Sequence, residues 1–406
     1  MEALGAWRQR VASELDAVVA FWERNSHDPQ LGGFFSCLSH EGNVYDDTKY
    51  VWMQGRQVWV YSRLYRTVPR FRRPELLEAA RAGGEFLLRF APLGPDSPRV
   101  AFALTRDGRP VRTQRNPYSE AFVAVGLDEL GRAAGEPRYR AAGRSWALAL
   151  LGWVRGAPLE LGPPQFSGSP PRQALALPLM ALTVAEQLLG GDPKTQEPGG
   201  DPQIEELAEW GAHAALRHLQ RGDSVVLENV SPEGRELPGS LGRLMNPGHA
   251  LEAGWLLLGF SGRRGEAALG TRALGALVTG PLAWGWDPQH GGLFAFLDAD
   301  GHCPTQLEWS MKLWWPHLEA MVALLAAYEH RPDPKFLEDF DRVATYAFDK
   351  FRDPEHGEWF GYLSREGNVA LSLKGGPYKG CFHVPRALMM CEEMLGRILE
   401  REGASK

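Results

Sequence analysis

Cysteine is scarce in this chain: Cys37, Cys303, Cys381 and Cys391 are the only four in 406 residues, and no two are spaced as CxxC. That scarcity argues against a disulfide framework and a paired-thiolate zinc site, and predicts reduced thiols in the cytoplasm. No run of 18 uncharged apolar residues occurs, and the charged amphipathic start, Met1 to Asp16, lacks an apolar core. Neither a membrane span nor a secretory leader is expected. Charge of one sign is missing too. The 44 basic and 50 acidic residues are mixed along the chain, leaving a net charge of -6 and no basic face for a nucleic-acid backbone. HExxH, GxSxG, a GxGxxG after a strand, and GxxxxGK followed by Ser or Thr are all absent. Zinc hydrolysis, serine-elbow hydrolysis, dinucleotide binding and P-loop chemistry therefore have no motif to rest on, and no metal site is expected.

What is present is apolar spacing near 3.6 residues. It recurs over about twelve segments, near 4–25, 50–67, 73–92, 117–134, 136–155, 172–189, 203–220, 248–261, 264–279, 314–330, 335–352 and 384–401. Between alternate segments lie Gly- and Asp-rich stretches that read as β-hairpins. They run from Gly33, from Val100 to Val111, from Val225 to Leu237, from Leu293 to Cys303 and from Trp359 to Leu371. Three of these loops open with related sequences, Asp28-Pro29-Gln30-Leu31-Gly32-Gly33, Asp287-Pro288-Gln289-His290-Gly291-Gly292 and Asp353-Pro354-Glu355-His356-Gly357-Glu358. Each leads to a lysine at a helix mouth: Lys49, Lys312 and Lys379. Repeated helix pairs that cannot bury their faces alone must stack or close. The expectation is an all-α fold, a single (α/α)6 barrel over 1–406 with six inner helices opening at one end; the alternative is an open solenoid. Residues 190–203 read as a flexible surface loop.

Two histidines stand at matched positions. His249 lies in Pro247-Gly248-His249 and His383 in Gly380-Cys381-Phe382-His383-Val384-Pro385, each at the mouth of an apolar helix. Two imidazoles that can switch between acid and base near neutral pH suit removal of a proton from one face of a carbon and its return on the other. The positive helix ends should keep both rings neutral. Glu252, three residues after His249, shares its helical face and can orient the ring or meet a sugar hydroxyl. Arg56 sits in an apolar inner segment and must meet an anion, a carbonyl or a sugar oxygen there. Glu319 and Glu120 occupy first-turn positions on other inner helices, and His317 follows Pro316. Trp52, Tyr118, Trp314, Trp315, Trp359 and Phe382 crowd the same end, where aromatic faces can hold the C–H face of a sugar.

Those residues fall in motifs that resemble the animal N-acylglucosamine 2-epimerase family, also called renin-binding protein. The similarity runs from Val18-Val19-Ala20-Phe21-Trp22 to Cys391-Glu392-Glu393-Met394-Leu395. It includes Val44-Tyr45-Asp46-Asp47, Lys49-Tyr50-Val51-Trp52, Asn246-Pro247-Gly248-His249, Pro304-Thr305-Gln306-Leu307-Glu308-Trp309 and Lys379-Gly380-Cys381-Phe382-His383-Val384-Pro385-Arg386. The resemblance implies an (α/α)6 barrel that interconverts N-acetyl-D-glucosamine and N-acetyl-D-mannosamine, in amino-sugar and sialic acid metabolism. It implies catalytic roles for Arg56, His249, His383 and Glu319. Glu252, Trp52, Tyr118, Trp315, Phe382 and His317 are the expected sugar-binding set. It also implies ATP or another nucleotide as a nonconsumed activator, a homodimer, and renin binding as a secondary property. The chain departs from the mammalian members over 163–203, where Gly190-Gly191 and Pro198-Gly199-Gly200 interrupt a leucine-zipper segment. Glycine and proline break helices, which argues against a coiled-coil dimer and leaves a flat one. Two other readings of the residues are an (α/α)6 glycoside hydrolase using Glu252 and Glu319 as paired carboxylates, and a renin-binding, inhibitory interaction protein.

Overall fold

In the computed structural model, twelve long helices wind into six hairpins arranged as a ring. The structure describes residues 2–95, 97–157, 168, 170–190 and 200–404. The helices are α1 Glu2–Asn25, α2 Val51–Thr67, α3 Pro74–Phe90, α4 Tyr118–Ala134, α5 Pro137–Val154, α6 Ala176–Leu188, α7 Pro202–Leu216, α8 Pro247–Arg264, α9 over 267–285, α10 Trp314–His330, α11 Pro334–Lys350 and α12 His383–Ala404. The even-numbered helices stand side by side around the axis in chain order, and α12 returns to α2. The odd-numbered helices cover them, with α1 packed on α12, so the two ends of the chain close an (α/α)6 barrel rather than leaving a solenoid.

Burial separates the two layers. Outer α11 buries Phe336, Phe340, Val343, Ala344 and Ala347, a stripe at three- and four-residue steps. Inner α10 is buried on every side from Pro316 to Leu325. Helices α2 and α4 approach at two glycines, and a Cβ on Gly126 would lie 2.5 Å from Gly55 O. Helix α9 contains a π turn over Leu274–Thr279, where Gly280 N–H bonds Gly275 O. Pro281, next in the chain, cannot donate, and the widened turn absorbs the loss.

Three of the five expected hairpins form: Cys37–Leu38 with Val44–Asp46, Ala103–Leu104 with Pro110–Arg112, and Tyr362–Leu363 with Val369–Leu371. The other two do not close on themselves. Leu297–Asp298 pairs instead with Leu244–Met245, because Asp298 Oδ1 accepts the Asp300 and His302 N–H groups at 2.9 and 3.3 Å and closes the chain as a turn. Asn229–Val230 pairs with Gln173–Ala174, and across the Glu233-Gly234 turn only a single bridge joins Val230 to Glu236.

The sequence repeat marks a loop clamp. In each copy the leading aspartate accepts backbone N–H groups two and three residues on and takes a buried lysine: Asp28 with Lys49 at 2.9 Å, Asp287 with Lys312 at 2.9 Å, Asp353 with Lys374 at 2.6 Å. The third pairing corrects the expected role of Lys379, which bonds Glu358 at 2.8 Å instead. Glu358 replaces the glycine of the other copies and holds its left-handed backbone, φ 57°. Of the loop expected over 190–203, residues 191–199 lie outside the described residues, and Asp201 caps α7 by accepting Gln203 N–H. All four cysteines are free, with only Cys303 exposed. Among the described residues no helix is long and apolar enough to cross a membrane.

Candidate active site

His249 and His383 open α8 and α12, on either side of α10. The sequence at each mouth fixes its ring. Asn246 accepts the His249 N–H at 3.1 Å and Pro247 occupies the first turn, where its missing donor costs nothing. His249 Nδ1 donates to the Glu228 carboxylate at 2.9 and 3.0 Å, and His383 Nδ1 donates to Glu319 Oε1 at 2.9 Å. A carboxylate behind Nδ1 leaves Nε2 of each ring for the cavity of about 230 Å³ that both histidines line. The Trp315 indole stands between them, its ring 5.1 Å from that of His249 and 5.9 Å from that of His383.

The two dyads differ in charge. Glu319 is fully buried and also takes Arg386 through both terminal nitrogens and Trp255 Nε1 at 2.8 Å. Its negative charge is already matched, and Arg386 and His383 hold its pKa down to about 2 although burial opposes this. Glu228 has no arginine or lysine partner among the described residues. The consequences fall on the imidazoles. Burial lowers His383 to about 4 against the pull of Glu319, with Arg386 and Arg56 adding to the depression. Burial opposes charge on His249 as well, but Glu228 outweighs it and the ring rises to about 9. At neutral pH His383 is a free base and His249 an imidazolium. His383 is neutral as expected, but through burial with Arg386 and Arg56 rather than through the helix end, and His249 is not neutral, because a contacting carboxylate outweighs the fractional charge of a helix terminus.

Arg56 lies on the cavity wall with its guanidinium over the rings of Phe122, Trp52 and Phe382, at 4.2, 5.0 and 5.1 Å. It donates a hydrogen bond to Met53 Sδ at 3.9 Å, and among the described residues no carboxylate pairs with it. Burial lowers it to about 9, partly offset by Glu252. Glu252 also borders the cavity. Burial and the neighbouring Glu319 charge raise it to about 7, against His249, Arg386 and Arg56. Trp52, Tyr118, Trp314, Trp315 and Phe382 complete the expected wall.

Four of the expected residues lie elsewhere. His317 is fully buried; its Nε2 accepts Leu293 N–H at 2.8 Å and its Nδ1 donates to Leu313 O at 2.6 Å. Gln54, at the same position of the first repeat copy, accepts Phe34 N–H at 2.7 Å, so His317 is a loop clamp rather than a sugar ligand. Burial lowers its pKa to about 3. Glu319 stands behind His383 and does not line the cavity, which makes it a positioning residue. Trp359 is buried against Glu14, its Nε1 donating at 2.9 Å. Glu120 pairs with Arg99 at 2.6 Å. Glu252 is not the partner of His249; Glu228 is. Sequence reasoning missed Glu228, which lies 21 residues upstream in a loop and carries no spacing signal. It also missed Arg386, which follows His383 by the same three residues that separate Glu252 from His249, and Tyr378 on the cavity rim.

A closed (α/α)6 barrel thus gathers paired imidazoles, an arginine with no carboxylate partner among the described residues and an aromatic wall at one mouth, a set suited to proton transfer on a sugar. A family model for N-acylglucosamine 2-epimerase (GlcNAc 2-epimerase) matches residues 33–154 and 200–387. The chain is 56% identical to the N-acylglucosamine 2-epimerase of Bos taurus over 400 residues, covering 98% of this chain and 94% of that one. It is likewise 56% identical to that of Homo sapiens, covering 98% and 92%. Among solved structures, cellobiose 2-epimerase from Bacillus thermoamylovorans shares the fold with a TM-score of 0.81 at 18% identity, covering 97% of this chain and all of that one. This chain belongs to the N-acylglucosamine 2-epimerase family.

Proposed function

We propose that this chain interconverts N-acetyl-D-glucosamine and N-acetyl-D-mannosamine, His383 removing the C2 proton from one face and His249 delivering a different proton to the other. The observation that carries the proposal is the pair of carboxylate-backed imidazoles on alternate inner helices, one neutral and one cationic, bordering one cavity. C2–H becomes acidic only beside a carbonyl, so the pyranose opens first. Glu252, poised near neutral pH, is suited to take the anomeric hydroxyl proton and return one to the ring oxygen. His383 Nε2 then removes the C2 proton, and Glu319 supports the charge it gains. The enolate oxygen forms beside Arg56, which has no carboxylate partner among the described residues; a preorganised donor to such an oxygen is worth about 3 kcal/mol. C2 flattens, and His249 delivers its proton to the opposite face. The configuration inverts with no redox change.

The glycosidase reading needs two carboxylates on the cavity, and Glu319 is withdrawn from it. The proposal also carries properties implied by the family resemblance: a cytoplasmic homodimer, a nonconsumed nucleotide activator and secondary renin binding. Light scattering, ATP titration and a renin pull-down read the dimer, the activator and the partner. The direct test is proton NMR of N-acetylmannosamine with the protein in heavy water, with and without ATP. Appearance of N-acetylglucosamine carrying deuterium at C2 is expected; conversion with the C2 hydrogen fully retained contradicts the two-base route.

A further inference from the structure

The barrel axis does not end at the catalytic cavity. A second chamber of about 240 Å³ lies beyond it, lined by later turns of the inner helices, among them Arg63, Gln187, Gly259 and Glu393. Glu393 follows His383 by ten residues, about 15 Å along a helix, so the chamber runs toward the opposite end of the barrel. The two cavities share four side chains, Phe122, Met180, Glu252 and Phe382. Glu252 is the one ionisable group in that partition. It sits one turn after His249 on α8. Arg386, which bonds Glu319 and lies 3.0 Å from His383 Nδ1, faces the rear chamber as well.

Two-base transfer leaves the enzyme with its protons exchanged. After one turnover His383 holds the proton taken from C2, and His249 lacks the one it delivered. The next turnover in the same direction requires His249 to gain a proton and His383 to lose one. The front of the cavity is walled by Trp52, Tyr118, Trp314 and Tyr378, and on the two-base reading the sugar sits there. The rear chamber carries Arg63, Glu186, Gln187 and Glu393 on its wall and has room for about eight waters at their liquid volume.

We propose that the rear chamber is the proton route that resets the enzyme between turnovers, with Glu252 relaying between chamber water and His249. The inference rests on the two-base reading above. Chamber water protonates the Glu252 carboxylate, and Glu252 passes a proton to neutral His249. His383 releases its proton from Nε2 into the water of the catalytic cavity, which it lines, and that proton neutralises the hydroxide left in the chamber. One proton moves from His383 to His249 and no charge accumulates.

Gly259 provides the test. It lies on the chamber wall and is not among the residues lining the catalytic cavity, and no atom beyond its own helix backbone stands within 4 Å of the place its Cβ would occupy. Gly259→Leu therefore introduces an apolar side chain at the chamber wall from a position open at Cβ, displacing part of the chamber water, at a helical position where leucine is favoured over glycine. At saturating substrate the reset limits turnover; at low substrate the free enzyme resets before the next encounter. The expected result is a roughly tenfold lower kcat with kcat/KM unchanged and a larger solvent isotope effect on kcat, while Gly259→Ala stays near the parent enzyme. The unchanged kcat/KM also reports an intact fold and site. A Gly259→Leu enzyme with unaltered kcat, or with kcat and kcat/KM reduced together, overturns the route. Loss of C2 exchange in the parent enzyme instead removes the two-base reading itself, so the two failures are distinct.

Discussion

Replacing Glu228 with glutamine tests the charge asymmetry of the site at its origin. His249 stands at about 9 in place of 6.5, with Glu228 overcoming a desolvation that acts the other way. At 1.36 kcal/mol per pKa unit that net shift is worth about 3 kcal/mol of preference for the imidazolium. Without the carboxylate charge the ring falls to its ordinary value or below. Turnover requires His383 neutral and His249 protonated, so activity should span a window whose alkaline limb follows His249. The reverse direction uses the same net protonation state with the proton on the other ring, and both directions share one bell. With His249 at 6.5, only one molecule in eleven is competent at pH 7.5, a loss of about tenfold that lowering the pH to 6 largely restores. The assay is the pH dependence of kcat/KM for parent and Glu228→Gln enzymes. An alkaline limb that stays in place, or a loss uniform across pH, refutes the assignment.

Substitutions at three further positions probe the supports. Arg386→Gln leaves the Glu319 charge unmatched, so the His383 pKa rises and the acid limb of the kcat/KM profile moves up; an unmoved acid limb would falsify the role given to Arg386. His317→Gln reproduces the Gln54 clamp of the first repeat and should leave kcat within about twofold, whereas His317→Ala strands the Leu293 N–H and costs about 1–3 kcal/mol in urea unfolding; a large kcat loss in the glutamine variant would return His317 to the site. Asp287→Asn leaves Lys312 buried without a carboxylate and should cost about 3–5 kcal/mol. In the parent protein Asp287 titrates below its ordinary value, so its contribution is complete above about pH 4 and fades as the pH falls toward that depressed pKa. Urea midpoints at pH 7 for parent and variant settle the matter, and equal midpoints contradict the clamp.

The helical layers were legible in the sequence because inner and outer helices differ in how many faces they bury. The unbroken apolar run from Ala320 to Tyr328 marks α10, and a narrow stripe marks α11. The DPxxGG-like repeat was legible as a loop signature, and its function as an Asp–Lys clamp explains why its residues recur. His249, His383, Arg56 and Glu252 were visible because reactive or charged side chains beside apolar helix starts demand a partner. What those partners are was not visible. Glu228 reaches His249 through loop contacts distant in sequence: its N–H donates to Leu244 O at 2.7 Å, and the following Asn229–Val230 pairs with Gln173–Ala174. His317 was misjudged because a histidine after a helix-mouth proline looks the same from sequence whether its ring faces a cavity or bonds a neighbouring loop. The protonation difference between the two histidines depends on whether a carboxylate is already matched by an arginine, which only the assembled barrel determines.

The central claim is that His383 and His249 each serve one face of C2, and single-base variants measure this directly. In heavy water, His249→Ala retains the base His383 and should wash deuterium into C2 of one epimer with retained configuration, without converting it. His383→Ala should do the same for the other epimer only. Proton NMR of both sugars with both variants gives four readings, and the account predicts exchange in two of them, in mirror-image fashion. Exchange of the same epimer by both variants, or full epimerisation by either, contradicts it.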